Sequence, residues 1–175
     1  PQNRSTGLPV LEEVEALRRM ATEACAAVVP IGTSRIRASV HRRIEAAVPH
    51  CEFPSLVSPG AMLARHYAPN IGRGAIVHPG ALVSSRSSVG EFSIIGAGAL
   101  VNHEAELGAD VTLAPGSNVC GCVRIGDRST VFAGAVIIDE VKVVANVTIG
   151  AAAVVIRDID APGIWAGVPA RRIGD

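Results

Sequence analysis

From Ile71 onward an aliphatic residue stands at every sixth position: Ile71, Val77, Val83, Val89, Ile95, Val101, Leu107, Leu113, Val119, Ile125, Val131, Ile137, Val143, Ile149 and Val155. The fifteen positions follow one another without a slip. Two places before them the residue is mostly small, as at Ala75, Ala81, Ser87, Ser93 and Ala99, and glycine often follows, as at Gly72, Gly90, Gly96, Gly108, Gly126 and Gly150. A period of six fits neither a helix, at about 3.6, nor a flat strand, at about 2. It is a hexapeptide repeat, in which each unit forms one flat face of a prism and turns its aliphatic residue inward. Three faces close one coil, so fifteen repeats predict five coils, joined by backbone hydrogen bonds as in other solenoids. The small residue is expected near a corner, and the glycine is expected to ease the turn there.

The chain before the repeat reads differently, and the change falls near residue 58. Leu11, Val14, Leu17 and Met20 recur at helical spacing, with Glu12, Glu13 and Glu15 at the start and Arg18 and Arg19 later, an order that suits the helix dipole. Residues 26–31 predict a strand ending at Gly32. Ser34 then caps a second helix carrying Ile36, Val40, Ile44 and Val48, and residues 51–57 predict a second strand interrupted by Pro54. The order αβαβ predicts part of a parallel sheet. It lacks the opening strand and the Gly-rich turn of a dinucleotide-type fold. Residues 1–58 are therefore expected to be a partial Rossmann-like domain, and residues 59–175 the coil with its C-terminal tail. The chain starts at Pro1, and the first strand and its turn are expected to precede it in the native protein.

Composition narrows the possible functions. Of 175 residues, 49% are apolar, 18% charged and 3% aromatic, and 16 Lys and Arg balance 16 Asp and Glu. A balanced charge gives no general field for nucleic acid or an anionic membrane, and five aromatic residues offer no base-stacking platform. No apolar run approaches the ~20 residues that span a bilayer, and Arg4 with its polar neighbours is no signal peptide, so the cytoplasm is the expected location. Cys25, Cys51, Cys120 and Cys122 are too few for a disulfide scaffold. Cys120 and Cys122, as C-x-C, read as reduced turn or core residues, and a zinc site there needs further ligands. A coil enzyme that holds zinc with three histidines is excluded, since only His103 lies between residues 79 and 175.

Three segments carry a resemblance: residues 27–37, AVVPIGTSRIR; residues 101–108, VNHEAELG; and residues 163–173, GIWAGVPARRI. With the repeat, they make the chain resemble the NeuD/PglD family of bacterial sugar O/N-acyltransferases, of the hexapeptide-repeat acetyltransferase superfamily. The resemblance implies a mainly β fold, a left-handed parallel β-helix behind a Rossmann-like nucleotide-sugar domain. It also implies a homotrimer with the acyl site between subunits, acetyl-CoA as co-substrate, and no metal.

Transfer from a thioester requires deprotonation of the acceptor and no Ser or Cys nucleophile. The resemblance makes His103 the general base and Glu104 the residue that orients it. His103 follows the inward Val101 by two places, which puts it outside the prism near an edge. For acetyl-CoA the matching positions are Gly121, Ala133 and Ala151, together with Thr112, where the family often has a second histidine. For the nucleotide sugar they are Gly32, Thr33 and Ser34. Arg37, Arg171 and Arg172 are further candidates for phosphate. The implied reaction is N-acetylation of a nucleotide-linked 4-amino sugar for surface glycans. Sugar O-acetylation of the sialic acid type, or a non-catalytic structural or sugar-binding coil, remain as alternatives.

Overall fold

The computed structural model describes residues 9–22 and 24–175; Arg4 and its neighbours lie outside them. Among the described residues two helices, α1 (Glu13–Thr22) and α2 (Ser34–Ala47), precede a left-handed parallel β-helix. The hexapeptides form three parallel ladders of very short strands. One ladder runs through Leu56–Val57, Ile76–Val77, Ile94–Ile95, Thr112–Leu113, Thr130–Val131, Val147–Ile149 and Gly163–Ala166. A second runs from Met62–Leu63 through Leu100–Val101 and Asn118–Val119 to Val154–Val155, and a third from Asn70–Ile71 to Lys142–Val143. Arg171–Gly174 closes the first ladder with an antiparallel strand.

The predicted inward residues form the core. Val83, Val101, Val119, Ile137 and Val155 stack along one face, each 2% exposed or less. Burying each contributes about 1.5–3 kcal/mol. The coil makes about six turns rather than five, since the second ladder holds six strands. The extra turn starts at Leu56–Val57. It escapes the count because residues 64–69 lengthen the step from Leu63 to Ile71 to eight residues.

The glycine after each inward residue has a different cause from the expected one. A Cβ on Gly90 would lie 2.3 Å from the Gly108 carbonyl oxygen, and one on Gly126 would lie 2.4 Å from the Ala145 nitrogen. Close approach of neighbouring coils, not turn conformation, excludes a side chain there. The left-handed residue comes two places later, as at Gly98 and Gly116, and also at Arg86, Glu104, Asp110, Cys122 and Glu140.

Before the coil, the described residues hold less sheet than the αβαβ order predicts. Among the described residues the predicted parallel sheet reduces to one parallel bridge, Ala26 with Glu52, while Leu56–Val57 joins the coil. α2 starts at the predicted place, but its N-cap is Thr33, which makes no side-chain cap. The Ser34 hydroxyl instead meets Thr112 Oγ1 at 3.1 Å and Thr130 Oγ1 at 3.2 Å.

Buried polar groups hold α2 against the coil. Arg37, 1% exposed, donates to the carbonyls of Ile31 at 2.6 Å and Asp110 at 2.7 Å and to Thr112 Oγ1 at 3.0 Å. Its Nε faces Asp110 Oδ1 at 3.5 Å, an ion pair without hydrogen-bond geometry. Arg37 is therefore committed to the fold and is not open to phosphate. Burial lowers its pKa, and Asp110 opposes that shift. His41 stacks on Phe92 with centroids 3.7 Å apart, and its Nε2 meets Asp110 Oδ2 at 3.2 Å. Among the described residues no helix is long and apolar enough to cross a membrane.

Candidate active site

Equivalent residues of successive coils stack 18 places apart, so one prism edge carries a row of polar side chains. His103 sits on that edge, exposed, with Gly121 above it. The ring takes the place of a side chain at residue 121: a Cβ there would lie 2.5 Å from His103 Cε1. Asp139, the next residue in the row, accepts the Gly121 N–H at 2.8 Å.

Beside this row runs another, Arg86, Glu104, Cys122 and Glu140. Arg86 donates to Glu104 Oε1 at 2.9 Å, and the Cys122 thiol donates to Oε2 at 3.5 Å. Glu104 is thus held by its neighbours above and below. No hydrogen bond joins it to His103 among the described residues, although the ligating atoms of His103, Glu104 and Cys122 all lie within 4.8 Å of one another. The hydrogen bond to Glu104 raises the pKa of Cys122; burial, then Asp139, raises that of Cys120. All four cysteines are free thiols.

Ala133 and Ala151 occupy a different edge, one face away. They stack directly, with the N–H of Ala152 donating to the Ala133 carbonyl at 2.9 Å, and both are exposed. Gly32, Thr33, Ser34 and Thr112 form a third group, where α2 meets the coil. Thr112 is buried, and its hydroxyl donates to the Gly32 carbonyl at 3.0 Å and accepts from Arg37. Its contacts join the third group and leave it inside the packing. Thr33 and Ser34 line a groove of about 430 Å³ with Arg35, Arg128 and Thr148. The uncapped start of α2 opens there, so backbone N–H groups and two arginines face one space.

No family model matches the chain, and no curated protein does. Solved structures do. PerB from Caulobacter crescentus, in complex with CoA and GDP-perosamine, is 30% identical, with 97% of this chain and 80% of that one covered and a TM-score of 0.89. The acetyltransferase domain of PglB from Neisseria gonorrhoeae, in complex with acetyl coenzyme A, is also 30% identical, over 99% of this chain and 82% of that one, at TM-score 0.89. The chain belongs to the hexapeptide-repeat sugar acyltransferase family. WeeI from Acinetobacter baumannii, 22% identical over 96% of this chain and 79% of that one, at TM-score 0.73, shares the fold.

In this acyltransferase the candidate residues fall into three groups: His103, Glu104 and Gly121; Ala133 and Ala151; and Gly32 to Ser34 with Thr112. Arg172 contacts the Pro162 carbonyl at 3.2 Å and Asp175, at the far end of the coil. Sequence reasoning missed Arg86, Cys122 and Asp139 as neighbours of the candidate base. The coil length was the available signal. Adding or subtracting 18 from Glu104 gives Cys122 and Arg86, and adding 18 twice to His103 gives Asp139.

Proposed function

We propose that this acyltransferase moves the acetyl group of acetyl-CoA to the amine of a nucleotide-linked 4-amino sugar. The observation that carries the reading is His103, exposed on a rigid prism edge against the side-chain-free Gly121, in a chain that aligns along its length with structures holding CoA and GDP-perosamine. His103 accepts the amine proton as nitrogen attacks the thioester carbon. The C–N bond forms, the C–S bond breaks, and the proton leaves with the CoA thiolate. An imidazole nitrogen on an exposed edge can accept a proton from a bound acceptor as the bond forms. Glu104 supplies negative charge beside the ring rather than a direct hydrogen bond.

Residues 1–58 take the nucleotide sugar, with Gly32, Thr33 and Ser34 at the start of α2 and Arg35 and Arg128 near its phosphates. Residues 59–175 carry acetyl-CoA, with Ala133 and Ala151 letting the pantetheine arm lie close to the coil and Gly121 at the thioester end, beside the His103 ring. Thr112 acts through Gly32, whose carbonyl it holds. His103 and the alanine pair stand on different edges of one chain, and a homotrimer, in which edges of neighbouring chains face each other, would bring them to one site. The reading places the enzyme in the cytoplasm, where acyl-CoA and nucleotide sugars are made.

The experiment is thiol release from acetyl-CoA against GDP- and UDP-linked 4-amino sugars, with sialic acid as the hydroxyl acceptor. Release with one amino sugar, and an N-acetyl product by mass, supports the proposal. Release with sialic acid alone moves the assignment to O-transfer. Acetyl-CoA binding without turnover on any acceptor argues for a coil that no longer catalyses.

A further inference from the structure

The edge that holds His103 also assembles a donor set that the acyl-transfer chemistry does not require. We propose that His103, Glu104 and Cys122 bind a thiophilic divalent cation, with zinc as the best match, and that the bound cation withdraws the imidazole from acyl transfer. The first half rests on the geometry alone. The second half rests also on the assignment of His103 as the base.

An imidazole nitrogen, a carboxylate oxygen and a thiol sulfur lie within 4.8 Å of one another, contributed by two adjacent coils. Zinc bonds of about 2.0–2.3 Å at tetrahedral angles put donor atoms roughly 3.3–3.6 Å apart. Cys122 Sγ and Glu104 Oε2 already stand at 3.5 Å. Closing the remaining gaps takes side-chain movement of about 1 Å, which the exposed imidazole can make while Arg86 keeps Glu104 Oε2 turned toward Cys122.

The backbone beneath them is fixed. The Cys122 N–H donates to the His103 carbonyl at 2.9 Å, and the Glu104 N–H donates to the Ser85 carbonyl at 3.0 Å. A mixed S, N, O set favours zinc over magnesium or calcium, which take oxygen donors. Three protein ligands leave one position for water.

The charges around the site act in both directions. Arg86 draws on Glu104 through Oε1 and opposes a cation, but it leaves Oε2 turned toward Cys122. Asp139, hydrogen-bonded to Gly121 N–H, adds negative charge next to the imidazole, and Glu140 adds more at the following coil. A cation here would take the lone pair that His103 needs to accept a proton. The enzyme would then be switched off by zinc and restored by a chelator.

The test titrates the full, reduced chain with Co²⁺, the coloured substitute for zinc. A thiolate-to-cobalt charge-transfer band is expected at one equivalent per chain, and Zn²⁺ should displace it. Cys122→Ser should abolish the band, Cys120→Ser should keep it, and His103→Asn should weaken binding at least tenfold. Zn²⁺ should raise the melting temperature of the wild type and not that of Cys122→Ser, which separates loss of the site from loss of the fold. No band, or a band that survives Cys122→Ser, overturns the site. A bound cation with undiminished acyl transfer overturns the competition, and with it the role of His103, while the binding itself stands.

Discussion

The ring of His103 lies directly beneath Gly121, so closely that a Cβ on residue 121 would lie 2.5 Å from Cε1 and 2.7 Å from Nε2. Gly121→Ala must therefore swing the imidazole off the edge. The ring is exposed and can move, so stability should change by no more than about 0.5 kcal/mol. A displaced base should lower kcat about 10- to 100-fold. Matched thermal melts and initial rates check this. An unchanged kcat would mean that the ring position is incidental, and a large stability loss would mean that the ring cannot step aside.

Asp110 is the anchor of α2, since it faces both Arg37 and His41 from inside the interface. Asp110→Ala leaves a buried guanidinium without its carboxylate and should cost about 3–5 kcal/mol. The loss should appear as opening of α2, while the ladders stay closed. Hydrogen exchange by mass spectrometry reads this directly: amides of α2 should exchange faster, and those around Leu113 and Val131 should not.

Two glycines separate the two roles that this residue plays in the coil. Gly90→Ala drives a methyl into the carbonyl oxygen of Gly108 at 2.3 Å, backbone that cannot step aside. Overpacking of that kind should cost about 1–3 kcal/mol. Gly98 has φ +65 and open space around it, so Gly98→Ala meets only conformational strain, about 1–2 kcal/mol and no steric clash. Ala152 already adopts φ 55, which shows that the coil accepts alanine in that conformation. Urea melts of the two variants should place Gly90→Ala as the less stable.

Burial pushes the pKa of Glu45 up, but hydrogen bonds from Arg73, at 2.6 Å, and His41 outweigh it and leave the pKa below its ordinary value. A carboxylate with a lowered folded-state pKa contributes stability that is present above the unfolded value, about 4.3, and lost as pH falls through the folded value. Glu45→Gln should therefore destabilise at pH 7, by less than about 1 kcal/mol because Arg73 is half exposed. The difference should vanish in acid, below the folded value. Urea melts at neutral and acidic pH check both the sign and the window.

If the acyl site lies between chains, two kinds of damaged subunit should repair each other. Each chain of a mixed assembly would lend its intact edge to a neighbour. His103→Ala and Ala151→Trp should each be inactive alone. Co-assembled in equal amounts, they should recover activity at about a quarter of the sites, by random pairing across a head-to-tail interface. Rates of the purified mixed assembly measure this, and no recovery would place the whole site within one chain.

The coil was legible because its signal is local and repeated. One aliphatic residue every six places dictates inward stacking, and the unbroken series from Ile71 to Val155 left little to decide. The edge position of His103 followed from its offset of two from Val101. Other features depend on what the chain touches after folding. The bond between Thr112 and Gly32 spans 80 residues, and the Arg37 contact with Asp110 spans 73, distances over which sequence pattern carries no pairing information. The first coil was hidden by two extra residues between Leu63 and Ile71. The row formed by Arg86, Glu104 and Cys122 was in reach, because the coil length alone stacks them.

On the proposed mechanism, His103 removes the proton from the acceptor amine. The direct measurement is the single-turnover rate of acetyl transfer from acetyl-CoA to the nucleotide-linked amino sugar, for wild type and His103→Ala, with acetyl-CoA affinity measured alongside. A loss of about 100- to 10,000-fold in rate with acetyl-CoA affinity kept is the expected result. Transfer by His103→Ala within a few-fold of wild type would mean that another group takes the proton.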